Sequence, residues 1–357
     1  MIRRCLALSL CALVLCAADA PPPPAALEPY IKDGRLDPGD YGWIKGRFQD
    51  ATSEEAAAFR AIIDWSTACR ESALTELRAE LATKGFATAA VENVFPGPLL
   101  CSQVASQPMV ADITSFAAFQ QELAAPRVVA DTYLAAVRLA EDDTRPGAGA
   151  DLRRQLEARP LGEQLLRHAF TWGRGLEPDS PNLTPAGRAI FQARISVAAV
   201  ARDRANTEWL KGVVAEHGWP RISQVGEHAS NQAWLLVQHA DHDPVFQLDA
   251  LRLMEPMIAE GEVSKQNYAY LYDRIMLKLA GKQRYATQVR CQDDVRSPLP
   301  LEDEATVDQS RAAMGLPPVK EYIDQFNRSI PCAGLPENTI RSQGGSSGNT
   351  AGGSGTG

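Results

Sequence analysis

The stretch PRISQVGEHASNQAWLLVQHADHDPVFQLDALRLMEPMIAEGEVSKQNYAYLYDRIMLKLAGKQRYATQ, residues 220–288, decides the fold. Three helices are marked in it by start and stop signals. The first, about 228–241, is apolar on nearly every side through Ala233, Trp234, Leu235, Leu236 and Val237, which predicts a buried helix. Asp243-Pro244 opens the second with a cap and a proline at the first helical position. Pro256 kinks it and Gly261 ends it. Ser264 caps the third, which runs to Leu279 ahead of Gly281.

The same grammar extends outward. Thr184-Pro185 starts a long helix that reaches His217 and stops at Gly218-Trp219-Pro220. Residues 151–172 carry a helical stripe of Leu152, Leu156, Leu161, Leu165 and Leu166, and residues 116–142 predict another helix. Ser53-Glu54-Glu55 opens a helix with a capping residue and first-turn acids, and 72–84 continue the periodicity. Between 86 and 115, Pro96, Pro98 and Pro108 forbid long helices. Residues 303–328 supply one or two short ones. No alternating apolar pattern of useful strand length and no fixed repeat is present. The expected class is mainly α, an irregular helical bundle with long loops, stapled by disulfides.

The expected organisation is a signal peptide over 1–20, a proline-rich extended arm over 21–50 and an N-terminal helical region over 51–180. A C-terminal helical domain follows over 181–330. The arm ends in Tyr41, Trp43 and Phe48, which predicts that it docks on the core. The tail, 331–357, holds seven glycines between Gly344 and Gly357 and is expected to be disordered.

The first 20 residues give an address. Arg3 and Arg4 precede an apolar run from Cys5 to Ala18, too short to span a bilayer and of the length of a signal-peptide core. Cleavage after Ala20 fits the small-x-small rule but meets Pro21, whereas cleavage after Ala18 avoids it. Lipid attachment at Cys16 is the alternative, with Leu15 larger than the usual preceding residue. The protein is therefore expected to be periplasmic or secreted, or lipid-anchored through Cys16, with no transmembrane segment after the signal. Four cysteines remain, and an oxidising compartment pairs them. Sequence proximity favours Cys69–Cys101 and Cys291–Cys332.

Composition excludes some partners. The 357-residue chain holds 36 Lys+Arg against 44 Asp+Glu, a net charge of −8. Arg3, Arg4 and Asp19 leave with the signal, so 34 basic side chains face 43 acidic ones. Such a surface does not suit nucleic acid, which needs a basic face to displace counterions. No SxxK, Walker loop or GxGxxG is present, and no cofactor is implied.

Candidate chemistry gathers in the deciding stretch. At 100° per residue, Trp234, Gln238 and Asp241 share a face of the buried helix, with His239 beside them. On the 264–280 helix, Tyr270, Asp273, Arg274 and Leu277 form a second face, mixing ions with apolar bulk. A metal site at His239 and His242 is disfavoured because the helix is expected to end before His242, and none is assigned.

Several strings resemble a bacterial family, domain of unknown function 6624: Gly218-Trp219-Pro220, Gln238-His239-Ala240-Asp241, Gln247, Tyr270-Leu271-Tyr272-Asp273-Arg274 and Gln283-Arg284-Tyr285-Ala286-Thr287-Gln288. Asp308, Arg311, Gly315-Leu316-Pro317 and Tyr322 extend the resemblance, which covers about 200–325. Ala286 departs from it, since the family has glycine there. The resemblance implies no reaction. It marks Gln238, His239, Asp241, Gln247, Asp273, Arg274, Gln283, Tyr285, Thr287 and Gln288 as the polar positions of interest.

Two functions fit. One is a non-catalytic ligand-binding or structural domain of the cell envelope, in which Trp234, Gln238, Gln247, Tyr285, Thr287 and Gln288 grip a peptide or glycan fragment. The other is a periplasmic hydrolase. There His239 is general base, Asp241 or Asp273 orients it, Arg274 holds an anionic group, and Gln238 and Gln288 donate to an oxyanion. Both expect Gln238, His239, Asp273, Arg274 and Gln288 to cluster in space.

Overall fold

The computed structural model describes residues 22–329, 332, 340 and 341, apart from 109, 111, 148 and 174–177. The proposed signal with Cys16, and most of the tail, lie outside the described residues. The architecture is mainly α. Thirty-one residues, Ser53–Thr83, form α1. Its cap is Thr52 rather than Ser53. The Thr52 hydroxyl accepts from the Glu55 N–H while Glu55 accepts from the Thr52 N–H, so two end donors are satisfied reciprocally.

A short α2, Leu99–Ala105, leads to α3, Phe116–Thr144, capped by Ser115. The leucine stripe that predicts one helix over 151–172 forms two, α4 (Leu152–Ala158) and α5 (Leu161–Gly173). Pro160 sits at the break, where it lacks the N–H that a continuous helix needs.

The spine is α6, Pro185–His217, about 50 Å long at 1.5 Å per residue. Thr184 caps it, and Gly218 leaves it at φ +74°. After one turn, α7 (Ile222–Val225), come α8 (Glu227–Gln238), α9 (Pro244–Met254), α10 (Met257–Glu260) and α11 (Lys265–Ala280). The chain closes with α12 (Val307–Ala313) and α13 (Val319–Ser329).

Strands are few and short. Ile31–Lys32 (β1) pairs with Arg35–Leu36 (β2). Val289–Gln292 (β3) pairs antiparallel with Val295–Pro298 (β4), Cys291 facing Arg296, and with Ile340–Arg341 (β5). The turn between β3 and β4 is Asp293-Asp294, both at positive φ, the geometry of a two-residue hairpin loop.

Three apolar cores meet along α6. The arm, built of tight turns and the β1–β2 pair rather than plain extended chain, buries Tyr41, Trp43 and Phe48 against Phe116 and Phe119 of α3 and Ile62 of α1. Ala130, Val137, Leu166 and Phe191 join α3, α5 and α6. The largest core wraps α8, α9 and α11 around the C-terminal half of α6, and it contains Trp234. Both expected disulfides are formed. Cys69–Cys101 ties α1 to α2, and Cys291–Cys332 ties β3 to the chain beyond α13.

Candidate functional site

Helix α8 ends at Gln238, so His239 is its capping residue and Asp241 and His242 lie in the turn before α9. Three other elements reach this turn: the middle of α6, the start of α5, and the 93–106 segment held to α1 by Cys69–Cys101. The turn, α6 and the 93–106 segment enclose a cleft of about 260 Å³ whose lining includes Phe95, Ser102, Asp203, Arg204, His239 and His242, with α5 behind it.

Behind the cleft stands a buried charge. Glu163 of α5 has no exposed surface. Its Oε1 lies 2.7 Å from His239 Nδ1, and its Oε2 accepts a 2.8 Å bond from Asn206 of α6. Burial alone would raise the Glu163 carboxyl. The hydrogen bond to His239 and, whenever the ring is protonated, its charge, with help from Arg167 and Asn206, outweigh burial and leave it lowered; when the ring is neutral its single proton sits on Nδ1. An ionised carboxylate only accepts, so the shared proton belongs to Nδ1, and Nε2 is left for the cleft. No described residue bonds Nε2.

The other ions at the cleft are engaged. Asp203 takes a bidentate pair from Arg167 at 3.0 and 3.1 Å. Asp241 is gripped by Arg274 and Lys278. Although burial pulls the other way, those two cations hold its carboxyl well below the usual carboxylate range. Arg204 donates to the carbonyls of Gly97 and Phe95 and to Ser102 Oγ at 2.6 Å. Its hydrogen-bond partners are neutral, and the carboxylates of Asp243 and Glu208 lie near enough to act on its charge without pairing with it. Burial, with the charges of Arg204 and Lys211, pushes His242 down to about 4.

A second polar group lies apart. Asp273 of α11 is fully buried, and its carboxylate accepts from the backbone N–H groups of Arg284 (2.8 Å), Tyr285 (2.9 and 3.2 Å) and Thr287 (2.8 Å). Burial raises its pKa and these bonds oppose the rise. Gln283 closes the same loop, donating to the carbonyls of Gln288 and Leu299 and accepting from the Gln288 N–H. Buried Arg311 donates to the Pro317 and Tyr285 carbonyls, and Tyr322 donates to the Thr287 carbonyl at 2.8 Å. The result is a knot that fixes residues 283–288. Within it Ala286 takes φ +51°, the left-handed region where glycine is at ease.

The expected single cluster of Gln238, His239, Asp273, Arg274 and Gln288 is therefore two. Asp273 and Arg274 are neighbours on α11 and point about 100° apart. Arg274 joins Asp241 beside His239, while Asp273 and Gln288 belong to the knot. The carboxylate on the His239 ring is Glu163; Asp241 and Asp273 hold other partners. Gln247 bonds the carbonyls of Val237 and Gln238 and accepts from Lys278, stapling α8 to α9. Trp234 and Tyr285 are core residues, 3% exposed each. Thr287 is fully buried, and Gln288 donates to its hydroxyl.

Sequence reasoning missed Glu163, Asp203, Arg204 and Ser102. A signal for Glu163 exists: it shares its helix face with Leu166 and lies inside a leucine stripe, where an unpartnered acid would be costly. Among the described residues no three His, Cys, Asp or Glu side chains converge as a metal would need.

Comparison with known proteins places one segment of the chain. No curated protein and no solved structure matches. Residues 180–331, which run from the start of α6 past the end of α13 and include His239, Asp241, Asp273 and Arg274, match the model of a family of unknown function, DUF6624, and this segment is a domain of that family.

Proposed function

We propose that the protein is an exported, cell-envelope ligand-binding domain and that the cleft at His239 takes a glycan fragment, one sugar ring deep. The observation that carries this is the cleft itself. It is small and rigidly backed, with His239 oriented by Glu163 and with Ser102, Asp203, Arg204 and His242 set around it among apolar neighbours such as Phe95 and Val200. Phe95 at its edge is 42% exposed, with the Arg70 guanidinium over its ring at 4.7 Å, and exposed aromatic surface beside polar groups suits a sugar ring. The volume, about 260 Å³, is below that of most drug-sized sites and suits a single ring.

Export is supported by the amino-terminal sequence and by two disulfides, which persist in oxidising compartments. Among the described residues no helix is long and apolar enough to cross a membrane.

The test is calorimetric titration of the purified chain with a panel of peptidoglycan sugar fragments and their stem peptides. Saturable binding of a sugar fragment, lost in His239→Ala and weakened in Phe95→Ala, is expected. Binding of peptides alone, or binding unchanged in His239→Ala, would overturn the proposal.

A further inference from the structure

We infer that Glu163 and His239 act as one proton-transfer unit and that the cleft hydrolyses an ester on the sugar it holds. This rests on the cleft being the ligand site. Nδ1 is committed to Glu163 at 2.7 Å, and Glu163 is itself anchored by Asn206 and sealed from water. The imidazole is thereby held in one orientation, with Nε2 facing the cleft as the atom that can take a proton. An ionised, fully buried carboxylate behind an imidazole is an expensive arrangement if the ring only fills space.

The chemistry of the lining selects the substrate class. Cleaving a glycosidic bond by the usual route takes two free carboxyl groups flanking it. Asp203 is bound to Arg167, and Asp241 to Arg274 and Lys278, so neither is free. A neutral acyl ester needs only a base for water and an acid for one alkoxide, and a single imidazole supplies both in turn.

In the reaction, Nε2 takes a proton from water as the water oxygen bonds to the acyl carbon. The tetrahedral adduct then expels the sugar oxygen: the acyl C–O bond breaks, and the Nε2 proton passes to that oxygen. The products are a carboxylic acid and a sugar hydroxyl, with nothing oxidised or reduced. Arg204, a cation with neutral hydrogen-bond partners, favours the negative charge that builds on the acyl oxygen. His239 is the catalytic residue and Glu163 the positioning residue. Glu163 lies outside residues 180–331, so the region before the family domain completes the site.

The test uses the full exported chain with p-nitrophenyl acetate and peracetylated N-acetylglucosamine as probes, following nitrophenolate and released acetate. His239→Ala and His239→Asn are expected to lose roughly 100-fold or more in kcat/KM. Glu163→Gln is expected to lose about 10- to 100-fold in kcat with KM within about two-fold, a split that a merely structural change would not produce. His239 lies at the surface of the cleft, so its variants remain informative if Glu163→Gln fails to fold. Turnover unchanged in both His239 variants, or no acetate release by the parent chain, overturns the inference. Sugar binding without acetate release overturns this inference alone; neither binding nor release overturns the ligand-site reading with it.

Discussion

Removing the Asp273 carboxylate should unmake the 283–288 loop. In Asp273→Ala, the N–H groups of Arg284, Tyr285 and Thr287 lose their acceptor, and the Tyr285 and Thr287 bonds are fully buried. A buried donor left unpaired costs about 1–3 kcal/mol. Two such donors and a partly exposed third give roughly 3–6 kcal/mol, a large part of the 5–15 kcal/mol typical of a domain. Asp273→Asn keeps one oxygen as acceptor but turns an NH2 towards a donor, so its cost should be smaller, about 1–3 kcal/mol. Urea unfolding followed by tryptophan fluorescence and far-UV circular dichroism measures both. The variants should shift the midpoint without changing the slope. A cost below about 1 kcal/mol for Asp273→Ala would refute the assignment of these bonds as the hold on the loop.

Three further outcomes are expected. His242 falls from its ordinary 6.5 to about 4 on folding, so the unfolded chain binds its proton first as pH drops. Its contribution is complete above pH 6.5 and is lost between 6.5 and about 4, worth roughly 3 kcal/mol; urea midpoints across that window should fall in the parent and flatten in His242→Gln. Replacing Cys69 and Cys101 by alanine opens a 32-residue separation and should cost about 3–4 kcal/mol in the same assay. Arg274→Ala should cost under about 1 kcal/mol, because Lys278 still holds Asp241 and the carboxylate side chain is 45% open to solvent; a larger loss in thermal unfolding would contradict that.

Helix ends carry their chemistry locally, and the sequence was legible there. Thr184-Pro185, Asp243-Pro244, Ser264 and Gly218 cap or end helices as their residue types dictate. The β3–β4 hairpin escaped because each strand is four residues long, and its turn uses Asp293-Asp294 in place of glycine. The disulfides followed from compartment and spacing. The site was half legible. His239 stood out as a polar group ending an apolar helix, but Glu163 is 76 residues away and only the packing of both α5 and α8 on α6 brings them together. Asp273 and Arg274 adjoin in sequence yet serve different groups, since neighbouring side chains on a helix diverge.

The most direct test of the cleft as the working site is nitrogen-15 NMR of the histidine side chains during titration with a peptidoglycan sugar fragment. The chain has five histidines, and His168, His217 and His228 are exposed on the surface away from the cleft lining. If the cleft is the working site, the Nε2 signal of His239 should move to a saturable limit, His242 should follow, and the other three should stay in place. A fragment that binds while His239 Nε2 does not move would contradict it.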